Sequence, residues 1–193
     1  MHEKQKEMLS QIRSLLEETS QLQLEYWKNF STMGDWQFWA IILMLIVPLT
    51  LLLIFIDKRK ILLLGFFGLN YHIWFQYANA TGISFGLWEY PYQFVPFLPS
   101  FALDASLVPI SYILLYQWTL NNKKNIYIYA VLISAFFAFV FKPIMVSLHL
   151  FHMFKGINYF HLFLFYILFF IVSKLITSLF LWLQEKGQEK SRD

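Results

Sequence analysis

Hydrophobic and polar positions fall into two different patterns along the chain. Over residues 1–30, apolar or semi-apolar side chains recur at Met8, Ile12, Leu15, Thr19, Leu22 and Tyr26, at spacings of 4, 3, 4, 3 and 4. Leu9 and Leu16 widen this stripe and charged residues occupy the other faces, which predicts an amphipathic helix. Such a helix can lie on a membrane surface, pair as a short coiled coil with a protein partner, or pack on the rest of its own chain. Thr19 and Tyr26 make poor seam residues, which disfavours a long coiled coil.

Beyond Trp36 the periodic stripe gives way to long apolar runs. Five of them, at about 36–56, 61–80, 101–120, 126–151 and 159–183, are each about 20 residues or longer, enough to cross a hydrocarbon core of ~30 Å. Trp36 and Trp39 sit at one end of the first, and Pro48 is a kink that membrane helices tolerate. The second and third runs are separated by residues 81–100, an aromatic stretch with two glycines, three prolines and no basic residue, read as a connector lying in the interface. The expected fold class is therefore all-α: an integral membrane bundle of five transmembrane helices. An amphipathic extramembrane helix occupies residues 1–35, the membrane domain 36–183, and a polar, frayed tail 184–193.

Composition agrees. Of 193 residues, 58% are hydrophobic, 21% aromatic and 14% charged, against about 25% charged in an ordinary soluble domain. That much apolar surface exceeds what one small core can bury, so part of it faces lipid. A cleavable signal peptide is not expected, since the first apolar run follows a charged helical stretch and is too long for a signal core. The absence of cysteine excludes disulfides and thiolate chemistry.

Charge orients the bundle. The turn at 57–60 carries three basic residues, the turn at 121–125 two and the tail three, whereas the connector carries none and the 152–158 loop one. The N-terminal segment has four basic residues diluted by six acidic ones. The positive-inside rule then places the N-terminus outside and the C-terminus in the cytoplasm. The net charge of +3 lies in short loops and forms no basic stripe, so nucleic acid is not an expected partner; the lipid bilayer is.

Polar residues inside a span mark either function or a packed polar contact. Gly65, Gly68, His72, Gln76 and Asn79 recur at spacings of 3, 4, 4 and 3 on one face of the second span. This face reads either as an interhelical hydrogen-bond seam or as the wall of a hydrated site. Glu89 in the connector, Asp104 about one turn into the third span and Lys142 in the fourth are predicted in the same outer half. Together with His72, Gln76 and Asn79 they are the candidate ligand-binding residues. Lys142 at that depth is paired, neutral or snorkelling; as its partner, Asp104 is the first expectation and Glu89 the second. Lys174, near Ser173 and Thr177, is expected to snorkel toward the cytoplasm. His149 and His152, at i and i+3 near the end of the fourth span, and His161 opening the fifth, form a weak metal candidate, to which no metal is assigned. No cofactor fingerprint and no G-x-S-x-G, Walker or HExxH motif is present.

The stretch Trp88-Glu89-Tyr90-Pro91-Tyr92, Pro96-Phe97-Leu98-Pro99-Ser100 and Asp104-Ala105-Ser106-Leu107-Val108-Pro109, ending Tyr112 to Gln117, resembles a family of small, uncharacterised multi-pass membrane proteins of spore-forming Gram-positive bacteria. The resemblance covers spans one to five and implies a bacterial cytoplasmic membrane location. It implies no activity. The family's fourth span carries Phe-Glu-Pro where this chain reads Phe141-Lys142-Pro143, and its fifth opens with a Phe-Pro element that Phe160-His161-Leu162 lacks. A lysine in place of an acid counts against a carboxylate-pair mechanism here.

Three readings of function follow. The first is a non-enzymatic membrane protein with an outward-facing polar pocket for a small solute or lipid headgroup, in sensing or transport. The second is a structural or assembly subunit docking a protein partner through residues 1–30. The third is an intramembrane lipid-modifying enzyme using Asp104, Glu89 and the histidines.

Overall fold

The computed structural model describes residues 2–190. Among them are six helices: α1 (Glu3–Phe30), α2 (Trp36–Phe55), α3 (Ile61–Ser84), α4 (a π-helical turn Leu103–Leu107 running into Val108–Asn121), α5 (Ile126–Phe136, a π-helical turn Phe137–Phe141, then Lys142–Ser147) and α6 (Tyr159–Lys190). One short antiparallel pairing joins β1 (Trp88–Glu89) to β2 (His152–Met153), with Trp88 opposite Met153 and Glu89 opposite His152.

Three helices, α2, α5 and α6, are long and apolar enough to cross a membrane. This marks the chain as a multi-pass membrane protein by helix length and composition. They display Leu43, Ile46 and Leu53 of α2, Leu132 and Val140 of α5, and Leu168 and Leu175 of α6 as exposed side chains, a surface suited to lipid. α3 and α4 are less apolar, because α3 carries Asn70, His72, Gln76 and Asn79 and α4 carries Asp104, Ser106, Ser111 and Gln117. Both are packed among the others: α3 lies against α4 and α6, and α4 against α2 and α5. Their seam is aromatic. Phe67, Tyr71 and Phe75 recur every fourth residue along α3 and are buried. Tyr71 stacks on Tyr112 with ring centroids 4.3 Å apart, and Tyr112 shares a 2.6 Å hydrogen bond with Ser134 of α5.

Each π turn is closed by a hydrogen bond from the residue before a proline. Val108 donates to the Leu103 carbonyl ahead of Pro109, and Lys142 donates to the Phe137 carbonyl ahead of Pro143. Proline cannot donate, and its ring clashes with the carbonyl four residues back. Widening the preceding turn by one residue relieves that clash without breaking the helix.

Contacts sort the loops into two ends. At one, the backbone N–H of Asp57 donates to Gln117 at 2.6 Å, Gln117 donates to the last carbonyl of α2, Phe55, and Lys60 donates to Asn121. At the other lie the connector, the loop after α5 and the C-terminal end of α1, where Trp27 donates to the Gln93 carbonyl at 3.0 Å and the Gln93 N–H donates to Ser31 at 3.2 Å.

Several local expectations change. The helix of α3 continues to Ser84, four residues into the stretch read as connector, and Gly86 then turns the chain with φ of 60°. The connector does not simply lie in the interface: Trp88 and Tyr90 are each only 5% exposed and fold back into the bundle. α5 stops at Ser147, and His149 adopts φ of 57°, so His149 and His152 are not one turn apart on a helix. α6 remains helical to Lys190, through most of the expected frayed tail; residues 191–193 of that tail lie outside the described residues.

Candidate functional site

The two π turns position the polar centre of the molecule. Asp104 lies in the first and Lys142 directly follows the second. Both are buried, at 0% and 2% exposure. In the widened turn the carbonyl of Asp104 would look to residue 109 for a donor, and Pro109 has none. His72 supplies it, its ring Nδ1 donating to the Asp104 carbonyl at 2.6 Å.

The Asp104 carboxylate accepts from Asn79 Nδ2 at 2.6 Å and from the Ser100 hydroxyl. Asn79 Oδ1 in turn accepts from Trp88 Nε1 at 3.0 Å and from the Tyr90 hydroxyl at 3.1 Å. Lys142 Nζ then donates to the Tyr90 oxygen at 3.1 Å, and stands 3.5 Å from the Phe151 ring centroid and 4.8 Å from that of Tyr90. The expected direct Lys142–Asp104 pair is therefore replaced by the chain Lys142–Tyr90–Asn79–Asp104, because the connector inserts Tyr90 between the two side chains. Glu89, the second expected partner, points elsewhere. It is more than half exposed and its Oε1 lies 3.1 Å from His152 Nδ1.

Gly82 makes this packing possible. A Cβ there would sit 2.0 Å from the Trp88 ring, so the indole reaches Asn79 only across a residue without a side chain. Gly68 similarly admits Ile113 of α4, whereas Gly65 faces open space.

Two spaces adjoin the network. A cavity of about 20 Å³ touches Asn79, Tyr90, Lys142 and Phe151, room for about one water molecule. On the connector side a groove of about 410 Å³ is lined by Leu22, Tyr26, Trp88, Glu89, Tyr90 and Phe154. Trp88 and Tyr90 border both, so they form the wall between groove and network. Partial burial, followed by the neighbouring Tyr92 and Glu89, pushes the Tyr26 phenol above its ordinary value, keeping it a neutral donor. Gln76 lines a separate groove of about 190 Å³ with Ser100 and Gln23.

The structure thus brings together Asn79, Asp104, Lys142 and, through a carbonyl, His72; Glu89 and Gln76 border grooves beside them. Sequence reasoning did not pick out Trp88, Tyr90, Ser100 or Gly82 as site residues. One signal was available: Gly82 continues the α3 face three residues after Asn79. The histidines do not assemble. His161 is exposed and accepts from the Asn158 N–H at 3.3 Å, the His149 and His152 ring centroids are 6.1 Å apart, and no group of three metal-ligating side chains converges among the described residues. Lys174 donates to Ser178 at 2.8 Å and lies 5.2 Å from the Tyr116 ring centroid.

No known protein family, curated protein or solved structure matches the chain.

Proposed function

We propose that this protein is a five-span membrane protein, N-terminus outside and C-terminus cytoplasmic, with an outward-facing groove that binds a small solute or lipid headgroup in sensing or transport, without catalysing a reaction. The reading rests on one observation: the buried network Lys142–Tyr90–Asn79–Asp104 backs directly onto the wall of the 410 Å³ groove through Trp88 and Tyr90. Polar groups this deep in a bundle are costly, and their ordering against an accessible groove favours a ligand-responsive role.

α3 and α4 count as spans in this reading although they are less apolar, because both pack among α2, α5 and α6, with Leu62 and Leu69 of α3 still open to lipid. The basic turns at 57–60 and 121–125 set the orientation. A carboxylate beside aromatic rings, as Glu89 stands beside Tyr26 and Phe154, suits the amine end of a ligand. The reading is tested by thermal melts of the purified protein with ethanolamine, phosphoethanolamine and choline. A stabilisation lost in Glu89→Gln supports it; wild type and Glu89→Gln shifting equally with all three counts against it.

A second reading is favoured by α1. Met8, Ile12, Leu15, Leu16 and Leu22 are each 51–65% exposed, an apolar stripe the rest of the chain leaves uncovered. A structural subunit that docks a protein through this helix would lose its co-purifying partner when residues 1–24 are deleted; unchanged partners would refute it.

A further inference from the structure

At the end opposite the groove, the first turns of α3 and the last apolar turns of α6 form a cleft of about 800 Å³, walled by Leu62, Gly65 and Leu69 and by Leu183, with the Phe66 and Phe180 rings in contact across it at a centroid distance of 4.9 Å. Gly65 opens it, since nothing lies within 4 Å of the position its Cβ would take. Leu62 is 86% and Leu183 50% exposed. In a bilayer such a cleft is filled by hydrocarbon, and its apolar walls fit an acyl chain.

The rim is charged. Lys58, Arg59 and Lys60 immediately precede Ile61 at the mouth of the cleft. Arg59 and Lys60 share the Asp57 carboxylate, at 3.3 and 3.4 Å. Three cations therefore face one acid, and the turn keeps a net positive charge. Lys58 has no carboxylate within ion-pair distance among the described residues. Across the mouth, Lys186 stands 4.2 Å from the Trp182 ring centroid, a pairing suited to the membrane–water boundary. Glu185 and Glu189 oppose it on the same turns of α6, which leaves the 58–60 turn as the anion-attracting side.

We propose that this cleft is a binding site for an anionic phospholipid, with one acyl chain between α3 and α6 and the phosphate at the Lys58–Lys60 turn. Basic clusters beside interhelical clefts recognise anionic headgroups, and here charge and hydrocarbon are supplied by adjoining residues. The site shares no residue with the groove near Glu89 and does not depend on what that groove binds.

The test is native mass spectrometry of the full chain in mild detergent with equal amounts of dioleoylphosphatidylglycerol and dioleoylphosphatidylcholine. Wild type retains phosphatidylglycerol preferentially. Lys58→Gln lowers that preference roughly fivefold. Gly65→Leu, or Leu62→Trp on the same wall, reduces phosphatidylglycerol retention while the charges remain. Equal retention of the two lipids by wild type shows annular lipid only and overturns the site. Retention unchanged in both cleft-filling variants overturns the placement of the acyl chain.

Discussion

Asn79→Leu removes the hub of the buried network while keeping side-chain volume similar. Asn79 makes three interactions, accepting from Trp88 at 3.0 Å and Tyr90 at 3.1 Å and donating to Asp104 at 2.6 Å. Hydrogen bonds between membrane helices average about 0.6 kcal/mol and reach about 1.7. Three average contacts come to about 2 kcal/mol, and three at the ceiling to about 5. The loss should lie above the average, because Trp88 and Asp104 stay buried, at 5% and 0% exposure, and each loses a hydrogen-bond partner. Each such group costs about 1–3 kcal/mol. A loss of about 3 kcal/mol is expected. Asn70→Leu is the control on the same helix: Asn70 donates to the Phe66 carbonyl one turn back at 2.8 Å, a local contact whose removal should cost less than about 0.5 kcal/mol. Unfolding in mixed micelles of dodecyl sulfate and dodecyl maltoside, followed by circular dichroism, measures both. If Asn79→Leu is no more destabilising than Asn70→Leu, the network does not hold the connector in the bundle.

Two further outcomes are expected. Gly82→Ala puts a Cβ 2.0 Å from the Trp88 ring and should cost about 1–3 kcal/mol in the same assay; Gly65→Ala, which meets nothing, should stay within about 0.5, and equal losses would refute the packing argument. The Asp57 carboxyl is held below its ordinary 3.8 by the Arg59 side chain, then by the Arg59 backbone N–H. Because the folded-state value is lowered, this support for the turn is complete above about pH 4 and is lost as pH falls through the lowered value. Carboxyl-carbon NMR should place the Asp57 midpoint below 3.8 and move it up in Arg59→Gln, whereas a wild-type midpoint at or above 3.8 would contradict the contact.

The helical, membrane-embedded character was legible because it is written in uninterrupted apolar runs, whose length and hydropathy together single out α2, α5 and α6. The face of α3 was legible for a related reason: a period near 3.6 places His72 and Asn79 toward one neighbour, and both reach Asp104. The partner of Lys142 was not. Its hydroxyl comes from Tyr90, 52 residues earlier, in a connector whose aromatic composition equally describes an interfacial loop. Only the tertiary fit of Trp88 over Gly82 decides that the connector turns inward. The end of α5 escaped for a local reason. The apolar run continues to Phe151, but the helix stops at Ser147 because the following loop pairs Glu89 with His152, a long-range strand contact with no signature in the run itself.

The arrangement of five spans, with the connector outside and the basic turns inside, is tested most directly by single-cysteine labelling, for which the chain's lack of native cysteine is a clean background. Leu98→Cys and Lys124→Cys both lie at exposed positions, on the connector and on the 121–125 turn. In intact cells a membrane-impermeant maleimide should modify Leu98→Cys at once and Lys124→Cys only after permeabilisation. Labelling of both from the same side, or the reverse order, would contradict the arrangement and with it the outward-facing groove.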